Sequence, residues 1–345
     1  MGGSGEWSAA TFTGPRGAAN LRRMSLPRVL VSRPVPEEAL LLLRPRADVR
    51  VLEGDEQHPI PTVDELIDAV HDADVLFALP GHPYQARVLE AAPSLRLIST
   101  MGTGYDNIDL AAARARGIRV TNAPGILDDT TADLAFALLL ATARRLNEAE
   151  RYLREGRWRG WTPFQFVGAD VHGHTLGIVG LGRIGRAVAR RASGFRMRIL
   201  YSGPTRKADA EAELGCEHVP FETLLAESDF VSLHVPLTPQ TRGLMDERAL
   251  ARMKPTAVLI NTARGPVVDE AALARGLKRG ALAAAGIDVY EREPTIHPEL
   301  LAAPNAVLLP HIGSGSRDTR RRMAERAAQN ILAFLDGRPL LDPVA

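Results

Sequence analysis

A glycine-rich turn between an apolar run and a helical stretch is the feature that most constrains this chain. Gly180, Gly182 and Gly185 follow the β-type run 175–179 and open a stretch with helical periodicity. At such a turn the first glycine permits the tight bend, the second lets a pyrophosphate approach the backbone, and the third lets helix and strand pack closely. The pattern predicts a dinucleotide site at a helix N-terminus. The alternative is a turn that needs positive φ without any ligand.

Short β-type runs alternate with helical stretches along most of the chain. The first set lies at residues 28–32, 49–52, 74–78, 95–99 and 118–121. After a long apolar helix over residues 129–145, the second set lies at residues 175–179, 197–201, 230–234, 257–261, 283–288 and 306–309. Strands that alternate with helices indicate βαβ units and parallel sheets. The sequence thus predicts an α/β protein with two such sets, followed by an amphipathic helix over residues 317–335.

Composition excludes several classes of protein. Lys and Arg number 42 against 41 Asp and Glu, so no net charge directs the chain to nucleic acid or anionic lipid. The single cysteine, Cys216, allows no intrachain disulfide and no thiolate zinc site, which favours the cytoplasm and no metal. The longest apolar run, residues 134–143, is shorter than the roughly 18 residues of a membrane helix. We expect residues 1–26 to be a disordered tail, with Met24 as a second candidate start.

The end of the second strand in the cofactor sheet indicates which dinucleotide is bound. An NAD site usually carries an acid about 20 residues after the first glycine, where the acid binds the ribose diol. Ser202 stands there, followed by Gly203, Thr205, Arg206 and Lys207. A carboxylate would repel a 2′-phosphate, whereas these hydroxyl and basic groups could bind it. The run favours NADP(H) over NAD(H), and the alternative is a plain solvated basic loop.

Four segments in a fixed order carry a family resemblance. The glycine-rich turn is followed by residues 261–265 (NTARG), 286–294 (GIDVYEREP) and 309–313 (LPHIG), each at the end of a predicted strand. With these motifs, nearly the whole ordered chain resembles the D-isomer-specific 2-hydroxyacid dehydrogenases. Residues 98–109 (ISTMGTGYDNID) and the non-acidic Ser202 make the chain most similar to the glyoxylate/hydroxypyruvate reductase branch.

The resemblance implies roles for several residues of these motifs. Arg264 would bind the substrate carboxylate and keto oxygen, which suits a planar guanidinium. His311 would give a proton to that oxygen as a hydride reaches the adjacent carbon. Glu293 would pair with His311, orient its ring and favour its protonated form. The loop that contains Thr103 and Gly104 would bind the carboxylate through backbone N–H groups.

The resemblance also implies a nicotinamide dinucleotide cofactor, with Asp288 near the nicotinamide carboxamide. Beside Ser202 and its neighbours, the implied cofactor contacts are Thr130, Gly180, Gly182, Arg183, Ile184, Gly185, Val235, Pro236, Thr241, Thr262, Ala263, Arg264, His311 and Gly313. The implied fold has two doubly wound parallel-sheet domains. A Rossmann-type cofactor domain, residues 123–312, is inserted into a flavodoxin-like substrate domain formed by residues 27–122 and 313–345.

The activity implied by the resemblance is reduction of a small 2-keto acid, glyoxylate or hydroxypyruvate, to glycolate or D-glycerate by a homodimer. Candidate dimer contacts are the long helix from Asp129 and the stretch with Trp158 and Trp161. Gln165 stands where the branch often has a tryptophan that reaches the partner's active site, which affects the expected substrate size. Pro204 stands where relatives often have an arginine against the 2′-phosphate.

Two alternatives stay open at this stage. The first is a dehydrogenase for another D-2-hydroxy acid, with 2-ketogluconate, D-lactate or phosphoglycerate as the substrate. The second is a dinucleotide-sensing scaffold similar to the corepressors of this family, which also keep the arginine, glutamate and histidine. Turnover with a panel of keto acids separates an enzyme from a scaffold.

Overall fold

Two parallel sheets organise the chain, of which the computed structural model describes residues 26–54 and 58–344. The first sheet has strands β1 (Arg28–Val31), β2 (Asp48–Val51), β3 (Val75–Ala78), β4 (Leu97–Thr100) and β5 (Arg119–Thr121). Their order in space is β2-β1-β3-β4-β5. The carboxyl ends of β1 and β3 therefore border a crevice at a topological switch point. The expected tail over residues 1–26 lies, except for Leu26, outside the described residues.

Helices cover both faces of this first sheet. They are α1 (Glu37–Leu43), α2 (Val63–Val70), α3 (Ala86–Glu90) and α4 (Leu110–Ala115). Successive side chains of a strand point to opposite faces. Val29 and Val31 accordingly belong to one apolar cluster and Leu30 to another. The doubly wound arrangement follows from these two clusters.

Two helices lead from the first sheet to the second, α5 (Asp128–Ala143) and α6 (Leu146–Arg154). The sequence predicted one helix through residue 145, but Arg145 has left-handed backbone with φ of 53° and separates α5 from α6. Phe136 and Leu138 of α5 pack in the same apolar cluster as Ile178 and Ile260. The apolar surface of α5 is thus buried against the second sheet.

The second sheet has seven parallel strands. They are β6 (Thr175–Val179), β7 (Arg198–Ser202), β8 (Cys216–His218), β9 (Phe230–Leu233), β10 (Val258–Asn261), β11 (Ala284–Ile287) and β12 (Ala306–Leu308). Their order is β12-β11-β10-β9-β6-β7-β8. The helices of this part are α7 (Arg183–Ser193), α8 (Ala208–Leu214), α9 (Phe221–Glu227), α10 (Glu247–Leu250), α11 (Glu270–Arg279) and α12 (Pro298–Leu301). The predicted two-sheet α/β fold is confirmed.

The last helix, α13 (Arg317–Leu335), returns to the first sheet. Met323, Ala327 and Ile331 pack in one cluster with Val29 and Val31. The chain therefore crosses from the first sheet to the second and back. No described helix is both long and apolar enough to cross a membrane.

Candidate active site

The glycine-rich turn joins β6 to α7. Gly180 has φ of +94°, and a Cβ there would lie 2.7 Å from the carbonyl oxygen of His234. A Cβ at Gly185 would overlap the Gly180 carbonyl oxygen, so both positions require glycine. A Cβ at Gly182, in contrast, would meet no described atom within 4 Å, and no side chain caps the start of α7. The first N–H groups of α7 are thus available to an anionic group.

A histidine and a glutamate form a hydrogen-bonded pair at the carboxyl edge of the second sheet. Glu293 lies in the loop after β11, and His311 follows β12. His311 Nδ1 donates to Glu293 Oε2 over 2.7 Å, because an ionised carboxylate can only accept. The other oxygen, Oε1, accepts the N–H of Tyr290 at 3.0 Å. Since Nδ1 is engaged, Nε2 is the ring nitrogen that can reach a substrate oxygen.

The charges around this pair keep Glu293 ionised. Burial raises the pKa of Glu293, but the hydrogen bond from His311 and the His311 charge outweigh burial and bring the pKa below its ordinary value. The charge of Arg264 lowers the Glu293 pKa further. An ionised carboxylate at this distance stabilises positive charge on the imidazole ring that it holds.

Asp288 follows β11 and is fully buried. Its Oδ1 accepts the N–H of Ile312 at 2.8 Å, and its backbone carbonyl accepts the N–H of His311 at 2.9 Å. Burial raises the pKa of Asp288, and the Ile312 N–H opposes that effect. The Gly313 N–H opposes it too, but no described donor forms a hydrogen bond of ordinary geometry with Oδ2. A buried acceptor without a donor is costly, so this oxygen suits a ligand N–H.

Arg264 reaches from the second sheet to a loop of the first. It follows β10, and its Nε donates to Asp106 Oδ1 at 2.9 Å, while Nη1 donates to the Ala263 carbonyl at 2.7 Å. A Cβ at Gly104 would overlap Nη2 of Arg264, so only glycine lets the guanidinium lie against this backbone. The guanidinium and the loop after β4 are therefore close enough to contact one carboxylate together.

Thr103, beside Gly104, uses its side chain inside the fold. Its hydroxyl donates to the Ala123 carbonyl at 3.0 Å, and its own carbonyl accepts from Asn122 Nδ2 at 2.7 Å. Any contact of Thr103 with a substrate therefore falls to its backbone N–H. These bonds also hold the loop in place for Gly104.

Comparison with known proteins decides the family. Residues 136–313 match the family model of the D-isomer specific 2-hydroxyacid dehydrogenase, NAD binding domain. A glyoxylate reductase from Korarchaeum cryptofilum is 54% identical over 314 residues, which cover 90% of this chain and 93% of that protein. The chain belongs to the D-isomer-specific 2-hydroxyacid dehydrogenases.

Solved structures of similar proteins agree with this membership. A protein from Thermus thermophilus has a TM-score of 0.85 and 46% identity, over 92% of this chain and 100% of its own. An NADPH-dependent glyoxylate/hydroxypyruvate reductase from Sinorhizobium meliloti, in complex with NADP and malonate, has a TM-score of 0.79 and 35% identity, over 93% of this chain and 97% of its own.

This dehydrogenase is therefore an oxidoreductase that acts on a CH–OH group with a nicotinamide dinucleotide. The residues present fit that cofactor. The open space beside Gly182 and the uncapped start of α7 suit a pyrophosphate. Asp288 Oδ2 and the buried hydroxyl of Thr262 have no partner among the described residues, and a carboxamide and ribose hydroxyls offer matching groups.

The loop after β7 holds the residues predicted to choose between NADP and NAD. Ser202 is buried at the end of β7, and Gly203 and Thr205 follow. Arg206 donates through Nε and Nη2 to the carboxylate of Glu211, over 2.7 Å at the nearest. The Tyr201 hydroxyl donates to the same carboxylate at 2.8 Å. The charge of this basic loop is thus partly neutralised by an acid of α8.

Several predicted cofactor residues share the carboxyl edge of the second sheet. Val235 and Pro236 follow β9, and Thr262 and Ala263 follow β10. The Thr241 hydroxyl donates to the Pro236 carbonyl at 2.6 Å, which shapes the loop after β9. Gly313 lies beside Asp288, because a Cβ at Gly313 would lie 3.4 Å from Asp288 Oδ2.

Other predicted cofactor residues have side chains engaged within the protein. The Thr130 hydroxyl shares a hydrogen bond of 2.6 Å with the hydroxyl of Thr319 in α13. Arg183 Nε donates to Asp128 Oδ2 at 3.0 Å, and Ile184 packs against an apolar cluster. The predicted cofactor contacts of Arg183 and Ile184 are at the start of α7, where their backbone N–H groups have no side-chain cap.

Sequence reasoning missed two acids that face predicted basic residues. Asp106 binds Arg264, and Glu211 binds Arg206. The signal for Asp106 was its place two residues after Gly104, in the loop already selected. The pairing of Glu211 depends on how the loop after β7 folds back, which no local pattern indicates. Within residues 26–54 and 58–344, no group of three or more His, Cys, Asp or Glu could hold a metal ion.

Proposed function

We propose that this dehydrogenase reduces glyoxylate or hydroxypyruvate to glycolate or D-glycerate, with NADPH preferred over NADH. The observation that carries the proposal is the hydrogen bond of 2.7 Å between His311 and Glu293, within electrostatic reach of Arg264. The name of the Korarchaeum relative, glyoxylate reductase, supports the choice of substrate. The Sinorhizobium enzyme supports NADPH, since its name includes that dinucleotide.

Arg264 and the loop of Thr103 and Gly104 bind the carboxylate in this proposal. The guanidinium offers the N–H groups of Nη1 and Nη2 that its bonds to Asp106 and Ala263 leave free, and backbone N–H groups of the loop add more. Charge-assisted hydrogen bonds of this kind contribute about 1.5–3 kcal/mol each. With its carboxylate held, a 2-keto acid presents its keto carbon and oxygen to the cofactor side of the cleft.

His311 is the proton donor of the reduction. When bound, the reduced nicotinamide supplies the hydride to the keto carbon. His311 gives the proton of Nε2 to the keto oxygen, which becomes the hydroxyl of the product. Glu293 holds Nδ1, orients the ring and stabilises its charge before transfer. In the reverse direction the neutral ring accepts the same proton.

The preference for NADPH rests on the loop after β7. Ser202 stands where an NAD-binding protein usually has an acid on the ribose diol. A serine does not repel a 2′-phosphate, and Arg206 keeps an exposed guanidinium in the same loop. Glu211 weakens the attraction of Arg206 for the phosphate, so we expect a moderate preference.

We further propose that the enzyme is a homodimer. Exposed apolar side chains are concentrated in α6 and the segment after it: Leu153, Trp158, Trp161, Phe164 and Val167. Trp161 is 81% exposed and Phe164 is 89% exposed. Monomers rarely expose such a patch, and a second copy of this chain would bury it. Gln165 lies in the same segment and would then approach the partner's cleft.

We assign residues 27–122 and 313–345 to a substrate domain and residues 123–312 to a cofactor domain. The packing of α13 on the first sheet supports this division. Closure of the cleft between the domains would exclude water from the reacting atoms. The free, buried Cys216 is compatible with a cytoplasmic enzyme.

The test is steady-state oxidation of NADPH and NADH with glyoxylate, hydroxypyruvate, pyruvate and 2-ketogluconate. We expect the highest kcat/KM with NADPH and the two small acids. Faster turnover with NADH would contradict the proposed role of Ser202. Tight dinucleotide binding without turnover of any acid would contradict the reductase and favour the scaffold. Light scattering of the purified protein tests the dimer.

A further inference from the structure

Glu270 is a buried carboxylate that the proposed chemistry does not use. It is the first residue of α11 and is 5% exposed. No basic side chain forms an ion pair with it in the described part of the chain. Its Oε1 accepts the N–H of Glu291 in a short hydrogen bond, and its Oε2 accepts the N–H of His297 at 3.1 Å. A buried carboxylate is costly without such donors, so these two bonds are the reason that Glu270 can occupy this place.

The two N–H groups that Glu270 binds lie on either side of Glu293. Glu291 precedes Glu293 by two residues, and His297 follows it by four. The attachment at Glu291 is reciprocal, because Glu291 Oε1 accepts the N–H of Glu270 at 3.2 Å. Both ends of the segment 291–297 are therefore fastened to the first turn of α11. The carboxylate that holds His311 is thus presented from a loop with two fixed ends.

Tyr290 connects this loop to the segment of His311. Its N–H donates to Glu293 Oε1, and its hydroxyl donates to the Leu309 carbonyl at 2.8 Å, two residues before His311. Burial raises the pKa of Tyr290 to about 12, so its hydroxyl stays protonated and can donate.

The backbone of Tyr290 also supports the segment of Arg264. A Cβ on Gly265, the residue after Arg264, would overlap the Tyr290 carbonyl group. The segments that bear Arg264, Glu293 and His311 therefore all meet at Tyr290.

We propose that Glu270 and Tyr290 are positioning residues for the His311–Glu293 pair. They touch neither substrate nor cofactor in this proposal. Glu270 fixes both ends of the loop of Glu293, and Tyr290 fixes Glu293 relative to the backbone before His311. A displacement of about 1 Å at reacting groups can cost a hundredfold in rate, so such support affects kcat directly. The inference rests on the proposed function, since it assigns the proton donor to His311.

The test compares Glu270→Gln and Tyr290→Phe with a matched control, Asp229→Asn. Glutamine keeps one acceptor oxygen of the two, and phenylalanine removes only the hydroxyl. Asp229 also accepts a backbone N–H, that of Thr175 at 2.9 Å, and the ammonium of Lys254 at 2.7 Å. It lies at the amino ends of β6 and β9, on the opposite edge of the sheet. Asp229→Asn therefore weakens a carboxylate that fixes backbone away from the site, although Asp229, unlike Glu270, also forms an ion pair.

The measurements are kcat and KM for glyoxylate from pH 5 to 10, the NADPH Kd by fluorescence, the Tm, and the low-field proton NMR signal of His311 Nδ1–H. For Glu270→Gln we expect kcat to fall about tenfold, with an unchanged NADPH Kd. The alkaline limb of the pH profile moves to lower pH, because a loosely held Glu293 stabilises the charged ring less. The NMR signal of His311 Nδ1–H weakens in the same variant. Tyr290→Phe shows the same changes to a smaller degree.

Two outcomes would overturn the inference. In the first, Glu270→Gln and Tyr290→Phe behave like Asp229→Asn, with a lower Tm but the same kcat, pH limb and NMR signal. In the second, Glu270→Gln does not fold, and Tyr290→Phe folds but leaves the alkaline limb of the pH profile and the His311 NMR signal unchanged. Wild-type enzyme that fails to turn over any keto acid refutes the proposed function instead. The NMR signal then still decides whether Glu270 and Tyr290 hold the pair.

Discussion

The two halves of the active site are built differently. The proposed proton-donor half, His311 with Glu293, lies entirely in loops at the carboxyl edge of the second sheet. The proposed carboxylate-binding half is divided between the sheets, because Arg264 follows β10 while Asp106 and Gly104 follow β4. One half is complete within a single sheet, and the other exists only where the two sheets meet.

This difference separates the contacts that orient the His311 ring from those proposed to bind the keto acid. The hydrogen bonds of His311, Glu293 and Tyr290 form whatever the relative placement of the two sheets. The contact between Arg264 and the loop of Gly104 depends on that placement. We therefore expect changes in the first half to act on kcat, and changes in the second to act on the KM for the keto acid.

The largest expected effect is that of His311→Ala. Removal of the proton donor should lower kcat by about a hundredfold to ten-thousandfold. The NADPH Kd should change much less than kcat, because His311 is only one of the implied cofactor contacts and the glycine-rich turn is unaffected. Steady-state kinetics and fluorescence titration measure both quantities. A variant that keeps more than a tenth of the wild-type kcat would show that another group donates the proton.

The second largest expected effect is that of Arg264→Lys, which tests the half divided between the two sheets. A lysine keeps the charge but loses the planar pair of donors, so about 1.5–3 kcal/mol of substrate binding is lost. We expect the KM for glyoxylate to rise tenfold to a hundredfold and kcat to change much less. The matched control is Arg275→Lys on the exposed face of α11, where the KM should not change. An equal fall in kcat with a constant KM would contradict the division of roles.

Glu293→Gln tests the half formed by His311 and Glu293 through the pH dependence of stability. The pKa of Glu293 in the folded enzyme lies below its value of about 4.3 in an unfolded chain, so its ionised form stabilises the fold above that value. This stabilisation is lost as the pH falls through the folded pKa. The Tm of the wild type should therefore fall more steeply than that of the variant as the pH decreases below about 5.

The same variant should also lose activity. Glutamine cannot stabilise the charged ring, so kcat should fall about tenfold near pH 8, with a smaller loss at lower pH. Parallel Tm curves and parallel pH–rate profiles for the two proteins would count against the pairing of Glu293 with His311.

The smallest expected effect is that of Gly104→Ala. The new Cβ would overlap Nη2 of Arg264, and the guanidinium would have to move away from the loop. A flexible side-chain end can move cheaply, so we expect only a few-fold rise in the KM for glyoxylate and a small change in Tm. The control is Gly182→Ala, which should change the NADPH Kd and not the KM for glyoxylate. Gly243→Ala is not a suitable control, because Gly243 has positive φ and alanine there would be strained. An unchanged KM in Gly104→Ala would place the substrate elsewhere.

Much of this fold could be predicted from local patterns. The alternation of apolar runs with helices predicted every strand but β8 to within two residues, and α13 has the predicted bounds. β8 was missed because Cys216, Glu217 and His218 form a short run without apolar alternation. These residues form a strand because their backbone pairs in parallel with β7. The early end of α5 was also missed. Arg145 has left-handed backbone, and no glycine or proline at that position signals it.

The placement of the acids could not be predicted in the same way. Asp106 and Arg264 are 158 residues apart in the chain, and they meet only because β4 and β10 end at one cleft. Glu270 stands at a helix start, where acids are common, and the fold turns its carboxylate inward to the loop of Glu293. Such pairings depend on how separate elements pack, and spacing along the chain carries no information about that.

The sequence by itself determined the groups to which we assign the chemistry. Glycine at positions 180, 182 and 185 and the motifs around Arg264, Glu293 and His311 are local in the chain, so their residue types and spacing identify them. Only the tertiary structure decided how those groups are held. The His311–Glu293 bond, the buried Glu270 and the contact of Arg264 with Gly104 each join separate strands or loops. Contacts of this kind form only after the strands have assembled, because parallel strands bring their distant carboxyl ends to a common edge.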